Sequence, residues 1–162
     1  MKALTRVGLF LSSLLAAGCT CPASACLEHA TLAIRRAEGD QRPWRIRLEL
    51  GSRTVACAEP DELEPFRSDS CDAGVTLALQ PRPGCPAGSE GDAGVCAGRS
   101  ALEQVIRIDG NPAKFRVTLL DETDSPITTR TFRPDYQKDY VNGRFCDGAC
   151  KNWSGTWQVP EP

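Results

Sequence analysis

Nine cysteines, one histidine and four lysines set the chemistry open to this chain of 162 residues. The cysteines are Cys19, Cys21, Cys26, Cys57, Cys71, Cys85, Cys96, Cys146 and Cys150. No C-x-x-C pair occurs, and the single histidine, His29, stands far from most of the thiols. Zinc sites use closely paired sulfur and nitrogen ligands, so the pattern predicts disulfides and no metal or cofactor. Nucleophilic catalysis through an imidazole would have to use His29. That residue is expected to be a solvated part of a linker. Lys2, Lys114, Lys138 and Lys151 form no Ser-x-x-Lys arrangement. Paired carboxylates could serve a glycosidase, with Asp121 and Glu122, or Asp61, Glu62 and Glu64, as candidates. Asp69, Asp72, Glu90 and Asp92 fall in two oxygen-rich segments, each carrying Asp-Ala-Gly-Val. Such segments could hold calcium, although EF-hand spacing is absent and turn composition accounts for them equally well. Tyr136 and Tyr140, with Phe145, Trp153 and Trp157, concentrate aromatic side chains near the C-terminus. Aromatic groups at a sandwich edge can stack on sugars or anchor protein partners. The 134–145 segment, through Tyr136 and Tyr140, is therefore the expected binding loop.

The odd cysteine finds its explanation at the N-terminus. Lys2 and Arg6 precede the apolar run Val7 to Leu15, and small residues Ala16, Ala17 and Gly18 follow. This three-part layout is that of a secretory signal, and it is too short for the roughly 20 apolar residues of a membrane span. The junction Leu15-Ala16-Ala17-Gly18-Cys19 resembles the lipobox of bacterial lipoprotein signal peptides. That resemblance implies a diacylglycerol thioether on Cys19, cleavage before it, and acylation of the new amine. Ala16 stands where the family most often has leucine. Each buried methylene of a lipid chain contributes about 0.8 kcal/mol, and two or three chains hold a domain firmly. In that family an aspartate after the cysteine often marks inner-membrane retention, so Thr20 makes the outer membrane the location the resemblance implies. The expected division is a signal peptide over 1–18, a lipidated tether over 19–29 and one domain over 30–162.

Lipidation of Cys19 leaves eight cysteines, enough for four disulfides in an oxidising compartment. Spacing favours Cys57 with Cys71, Cys85 with Cys96, and Cys146 with Cys150. Cys21 and Cys26 remain, either together or crossed to the C-terminal pair. Without Lys2 and Arg6, 17 of the 19 basic residues face 21 acidic ones, a net of −4. Nucleic-acid binding needs a clustered basic face, so no nucleic-acid partner is expected. The membrane is the expected first partner, with a protein or glycan at the cell envelope as the second.

The elements that would position these groups are strands. Leu32 and Ile34 alternate with Thr31, Ala33 and Arg35. Trp44, Ile46, Leu48 and Leu50 alternate with Arg45, Arg47 and Glu49, which is the period of a half-buried strand. Further strands are read over Arg53 to Ala58, Val75 to Leu79, Phe115 to Leu119, Ile127 to Phe132 and Trp153 to Val159. Ser100 to Glu103 fits a helix capping box, but the shared face of Leu102, Ile106 and Ile108 predicts a strand. Glu59 to Asp72, Pro81 to Arg99 and Pro134 to Arg144 read as loops. About eight short strands with turn signals between them predict an all-β antiparallel sandwich, Ig-like in architecture, with disulfide-stapled loops.

Phe132-Arg-Pro-Asp-Tyr136, then Asn142-Gly143 and Cys146 to Cys150, is similar to the C-terminal end of small, cysteine-rich bacterial lipoproteins. The resemblance implies no activity and no site residues. Together these readings predict a lipid-anchored envelope protein with a non-enzymatic binding or structural role. A carboxylate-based envelope hydrolase, or an inhibitor or accessory subunit of a secreted enzyme, is the alternative.

Overall fold

A computed structural model of the chain describes residues 27–37, 39–58, 68–72, 74–85, 98–140 and 149–161. The signal segment, Cys19, Cys21, Cys26, Cys96 and Cys146 lie outside the described residues, as do Asp61, Glu62, Glu64, Glu90, Asp92 and the Asn142-Gly143 turn. Among these residues ten strands run in chain order: β1 (His29–Arg35), β2 (Arg45–Leu50), β3 (Arg53–Ala58), β4 (Ser68–Asp72), β5 (Val75–Pro81), β6 (Leu102–Asp109), β7 (Phe115–Leu120), β8 (Pro126–Phe132), β9 (Gln137–Asp139) and β10 (Cys150–Gln158). One 3-10 turn, Gly98–Ala101, leads into β6.

The strands form a six-stranded sheet, in the order β4-β5-β6-β1-β10-β9, and a four-stranded sheet, in the order β3-β2-β7-β8. One apolar cluster draws on both. Ala30, Leu32, Ile34, Leu77, Ile106 and Trp157 come from the first sheet, and Ile46, Leu48, Val55, Val117, Leu119 and Phe132 from the second. A shared core between two sheets is the sandwich the alternation predicts. The register explains why alternation was sufficient. Ala30, Leu32 and Ile34 of β1 stand beside Ile108, Ile106 and Gln104 of β6, so each inward row is apolar apart from one glutamine.

Three features depart from the sequence-based expectation. Ser68–Asp72, read as the end of a loop, is strand β4, held antiparallel to β5 with a register shift between Ser70 and Asp72. Gln137–Asp139, also read as loop, is the short strand β9 on β10. Both lack apolar alternation because an edge strand is held chiefly by its backbone ladder. The third concerns β1 and β10, which pair in parallel from His29–Asn152 to Arg35–Gln158. The sheet is thus rich in antiparallel pairs without being wholly antiparallel. His29, assigned to the tether, is the first residue of β1.

Cys57 and Cys71 are disulfide-bonded. The bond joins β3 to β4, the edge strands on the same side of the two sheets, and so ties one flank of the sandwich. A cross-link closing a loop of about 15 residues is worth roughly 3 kcal/mol in the chain-entropy account. Cys85 and Cys150 are disulfide-bonded as well, and both are buried.

Among the described residues, the core contains one buried cation. Arg36 is 2% exposed, and its guanidinium carbon lies 3.7 Å from the centre of the Trp44 ring. The guanidinium also donates to the carbonyl of Arg42. A planar cation over an indole face recovers part of its lost hydration. Trp44 and Trp157, either of which the sequence offered as a large core filler, are both buried. On the outer face of the six-stranded sheet, Arg35 pairs with Glu103 at 2.8 Å.

Candidate functional site

The outer face of the six-stranded sheet carries a polar row across four strands. Asp109 of β6 is in register with His29 of β1, His29 with Asn152 of β10, and Asn152 with Gln137 of β9. Side chains in one row of a pleated sheet share a face. Nδ1 of His29 lies 2.9 Å from the carbonyl oxygen of Leu27. With the Asn152 amide turned to satisfy its neighbours, its nitrogen donates to the carbonyls of Lys151 and Leu27, at 3.1 and 3.2 Å. The imidazole is thereby fixed to the start of its own strand. It belongs to the sheet, whereas the sequence reading made it a linker residue.

A groove of about 780 Å³ opens beside this row. Its wall is built from His29 and Thr31 of β1, Asn152, Trp153 and Ser154 of β10, and Asp135, Gln137, Lys138 and Asp139 of the segment that carries β9. The groove exists because β9 is three residues long and β10 is nine. Where β9 ends, the edge of the sheet steps back and leaves a recess. Amides, hydroxyls and both signs of charge line it. That mixture can orient a polar ligand by several hydrogen bonds.

Trp153 reaches this site through a packing device. It faces inward, in register with Ala30, and Gly155 follows in the same inward column. A Cβ placed on Gly155 would lie 2.4 Å from Cζ2 and 2.5 Å from Cη2 of Trp153. The indole therefore occupies the space that a side chain at 155 would take. Its ring centre is 5.8 Å from that of Phe115, nearly edge-on, and 6.2 Å from that of Phe132. The result is a half-buried tryptophan, packed on the core and still lining the groove.

The sequence-predicted site residues fare differently. Tyr136 packs against the core, and its hydroxyl donates to the carbonyl of Pro112 at 3.0 Å. Burial, with the Glu28 carboxylate nearby, pushes its pKa up to about 12. Tyr136 thus anchors the segment, and its neighbours Asp135, Gln137, Lys138 and Asp139 line the groove. Tyr140 is partly buried beyond the end of β9. Asp121 caps the β7–β8 turn: its Oδ1 accepts from the N–H groups of Thr123 and Ser125 at 2.8 and 2.9 Å, and from the Thr123 hydroxyl at 2.7 Å. Those bonds, the Thr123 hydroxyl foremost, hold its pKa below the ordinary carboxylate value. Its carboxylate is committed to the turn, where Asp124 adopts a φ of 62°. Among the described residues, no cluster of three or more His, Cys, Asp or Glu side chains is placed to hold a metal ion. The row through His29, Asn152 and Gln137 was not recognised in the sequence. Its only trace there is the polar half of the alternation in β1 and β10.

Compared with models of protein families, with curated proteins and with solved structures, the chain matches none.

Proposed function

We propose that this protein is a lipid-anchored bacterial envelope protein whose mature domain is a binding module, with the groove between β9 and β10 as its site. The anchor is the reading of the Leu15 to Cys19 motif, and the parity of the cysteines supports it. The observation that carries the binding role is the recess itself. Four residues of the aromatic-rich C-terminal segment, Asp135, Gln137, Lys138 and Asp139, converge there on the polar row of the sheet and on Trp153. Hydrogen-bonding groups of varied charge held on rigid strands are the ingredients of recognition. Placement of the domain in the periplasm or at the cell surface, tethered to the outer membrane, would present this groove to envelope components.

Two measurements test the proposal. Intact mass of membrane-extracted protein should show cleavage before Cys19, added acyl mass, and eight alkylatable thiols that appear only after reduction. For the groove, amide chemical shifts of the isotope-labelled, oxidised mature domain would be followed during titration with two probes: soluble peptidoglycan-derived saccharides, and a short extended peptide. Shifts centred on Thr31, Gln137, Asn152 and Ser154 with one of the two are the expected result. No response at these residues to either probe at millimolar concentration would defeat the binding reading.

A further inference from the structure

The outer edge of β10 is only partly covered. β9 pairs with it from Cys150 to Asn152 and no further. From Trp153 to Gln158 the strand is bonded to β1 on one side, and its other side is open among the described residues. The N–H of Val159 donates to the carbonyl of Arg35, across to β1. Successive residues of a strand aim their backbone groups to opposite sides. Those of Ser154, Thr156 and Gln158 therefore face the open side, and all three residues are exposed.

This edge differs from the other three. β3 and β4 are bridged by the Cys57–Cys71 disulfide, and β4 carries a register shift. β8 begins with Pro126 and has an irregularity against Leu119 and Leu120. Charges, prolines and bulges are the usual guards of a sheet edge. The run Trp153-Ser-Gly-Thr-Trp-Gln158 has no charge, no proline and no bulge. It offers about 20 Å of straight ladder, at ~3.3 Å per residue.

The geometry points to strand addition: we propose that the ligand of the groove is an extended peptide segment that pairs with β10 from Trp153 to Gln158, continuing the line of β9. This rests on the binding-module reading above and names its partner class. A row of alternating N–H and C=O groups is complementary to another extended backbone and to little else. The side chains around it define the peptide. Those of the added strand that point inward would lie beside Trp153 and Trp157, facing Phe132 of β8. The guanidinium carbon of Arg130 stands 5.3 Å over the Phe132 ring, and Arg130 is exposed with no acidic partner among the described residues. A carboxylate at an inward position would meet that charge, with apolar residues at the inward positions on either side of it. A second copy of the domain fits less well. Two β10 edges paired about Gly155 would bring the partner's β9 onto Gln158 and Val159.

The test uses the oxidised mature domain and the peptide acetyl-Thr-Val-Thr-Glu-Thr-Val-Thr-amide. Amide hydrogen exchange at Ser154, Thr156 and Gln158 should slow by about tenfold or more at saturation. N-methylation of alternate peptide residues supplies a signature that requires no protein variant. One alternating set should abolish binding and the other should leave it intact. Thr156→Pro removes an outward N–H that bonds to nothing among the described residues, so it should fold and lose the peptide, whereas Thr156→Ala should retain it. Should Thr156→Pro not fold, Ser154→Pro and the methylated peptides ask the same question. Arg130→Glu should weaken the Glu peptide and favour its Lys counterpart. Peptide binding that leaves the three amides unprotected overturns strand addition, and so does the absence of binding at millimolar peptide. If the saccharide probe shifts Gln137 and Asn152 while the peptide protects nothing, strand addition fails and the binding module stands.

Discussion

Gly155→Ala should destabilise this domain, although alanine is the better strand residue. Relative to glycine, alanine in a strand gains about 0.5–1 kcal/mol from reduced backbone entropy in the unfolded chain. Against this, the new Cβ would sit 2.4 Å from the Trp153 ring, where ordinary contact begins near 3.4 Å. The indole must move by about 1 Å, and overpacking of this kind costs ~1–3 kcal/mol. The displaced ring also loses its arrangement against Phe115 and Phe132, where each aromatic pair is worth ~0.5–1.5 kcal/mol. The expected net loss is about 1–2 kcal/mol, read as a lower denaturation midpoint in guanidinium with the disulfides intact. A second background makes the reasoning strict. With Trp153→Ala in place nothing obstructs the new methyl group, and Gly155→Ala should then stabilise by about 0.5 kcal/mol. The sign change implies a coupling of about 2 kcal/mol between the two positions. If Gly155→Ala proves neutral or stabilising in the wild-type chain, or the coupling falls below about 0.5 kcal/mol, the glycine is not there to seat the indole.

Two other predictions follow from side chains off the groove floor. Gln104 is 2% exposed, sits in the inward row between Leu79 and Ile34, and has both amide atoms unpaired among the described residues. An unmet buried polar atom costs ~1–3 kcal/mol, so Gln104→Leu should stabilise by about that amount in the same denaturation assay; a lower midpoint would show that the amide is satisfied in solution. Tyr136 has a pKa raised to about 12 by burial, then by Glu28, against an unfolded value near 10. Its contribution is therefore complete below pH 10 and lost as the pH rises toward 12, because the unfolded chain ionises first. Ultraviolet titration of Tyr136→Phe should lose the ionisation step near pH 12 that the wild-type domain shows, and a high-pH step that persists in the variant would contradict the assignment.

The strands with one apolar face were legible in the sequence. Ile46, Leu48 and Leu50, or Val75, Leu77 and Leu79, alternate because one face of each strand is buried. Ser68–Asp72 and Gln137–Asp139 escaped notice because nothing in their side chains reports a backbone ladder. Period two also says nothing of partner or direction, so the parallel pairing of β1 with β10 could not be read. Of the site, the C-terminal segment was singled out for its tyrosines, yet Tyr136 turned out to be an anchor. The groove residues are its polar neighbours, which composition alone gives no reason to select. His29 was placed in the tether because the apolar pattern of β1 begins after it. Its membership in the row with Asp109 and Asn152 depends on long-range register.

The position of β1 has a mechanical consequence. Its seven residues are bonded to β6 on one side and to β10 on the other. A tether attached at the N-terminus, and pulled while the groove holds a partner, would load this strand along its own axis. Two ladders would then have to slide together, and no single row of bonds could peel open first. A strand clamped on both sides in the middle of its sheet is the sturdiest place from which such a domain could hang.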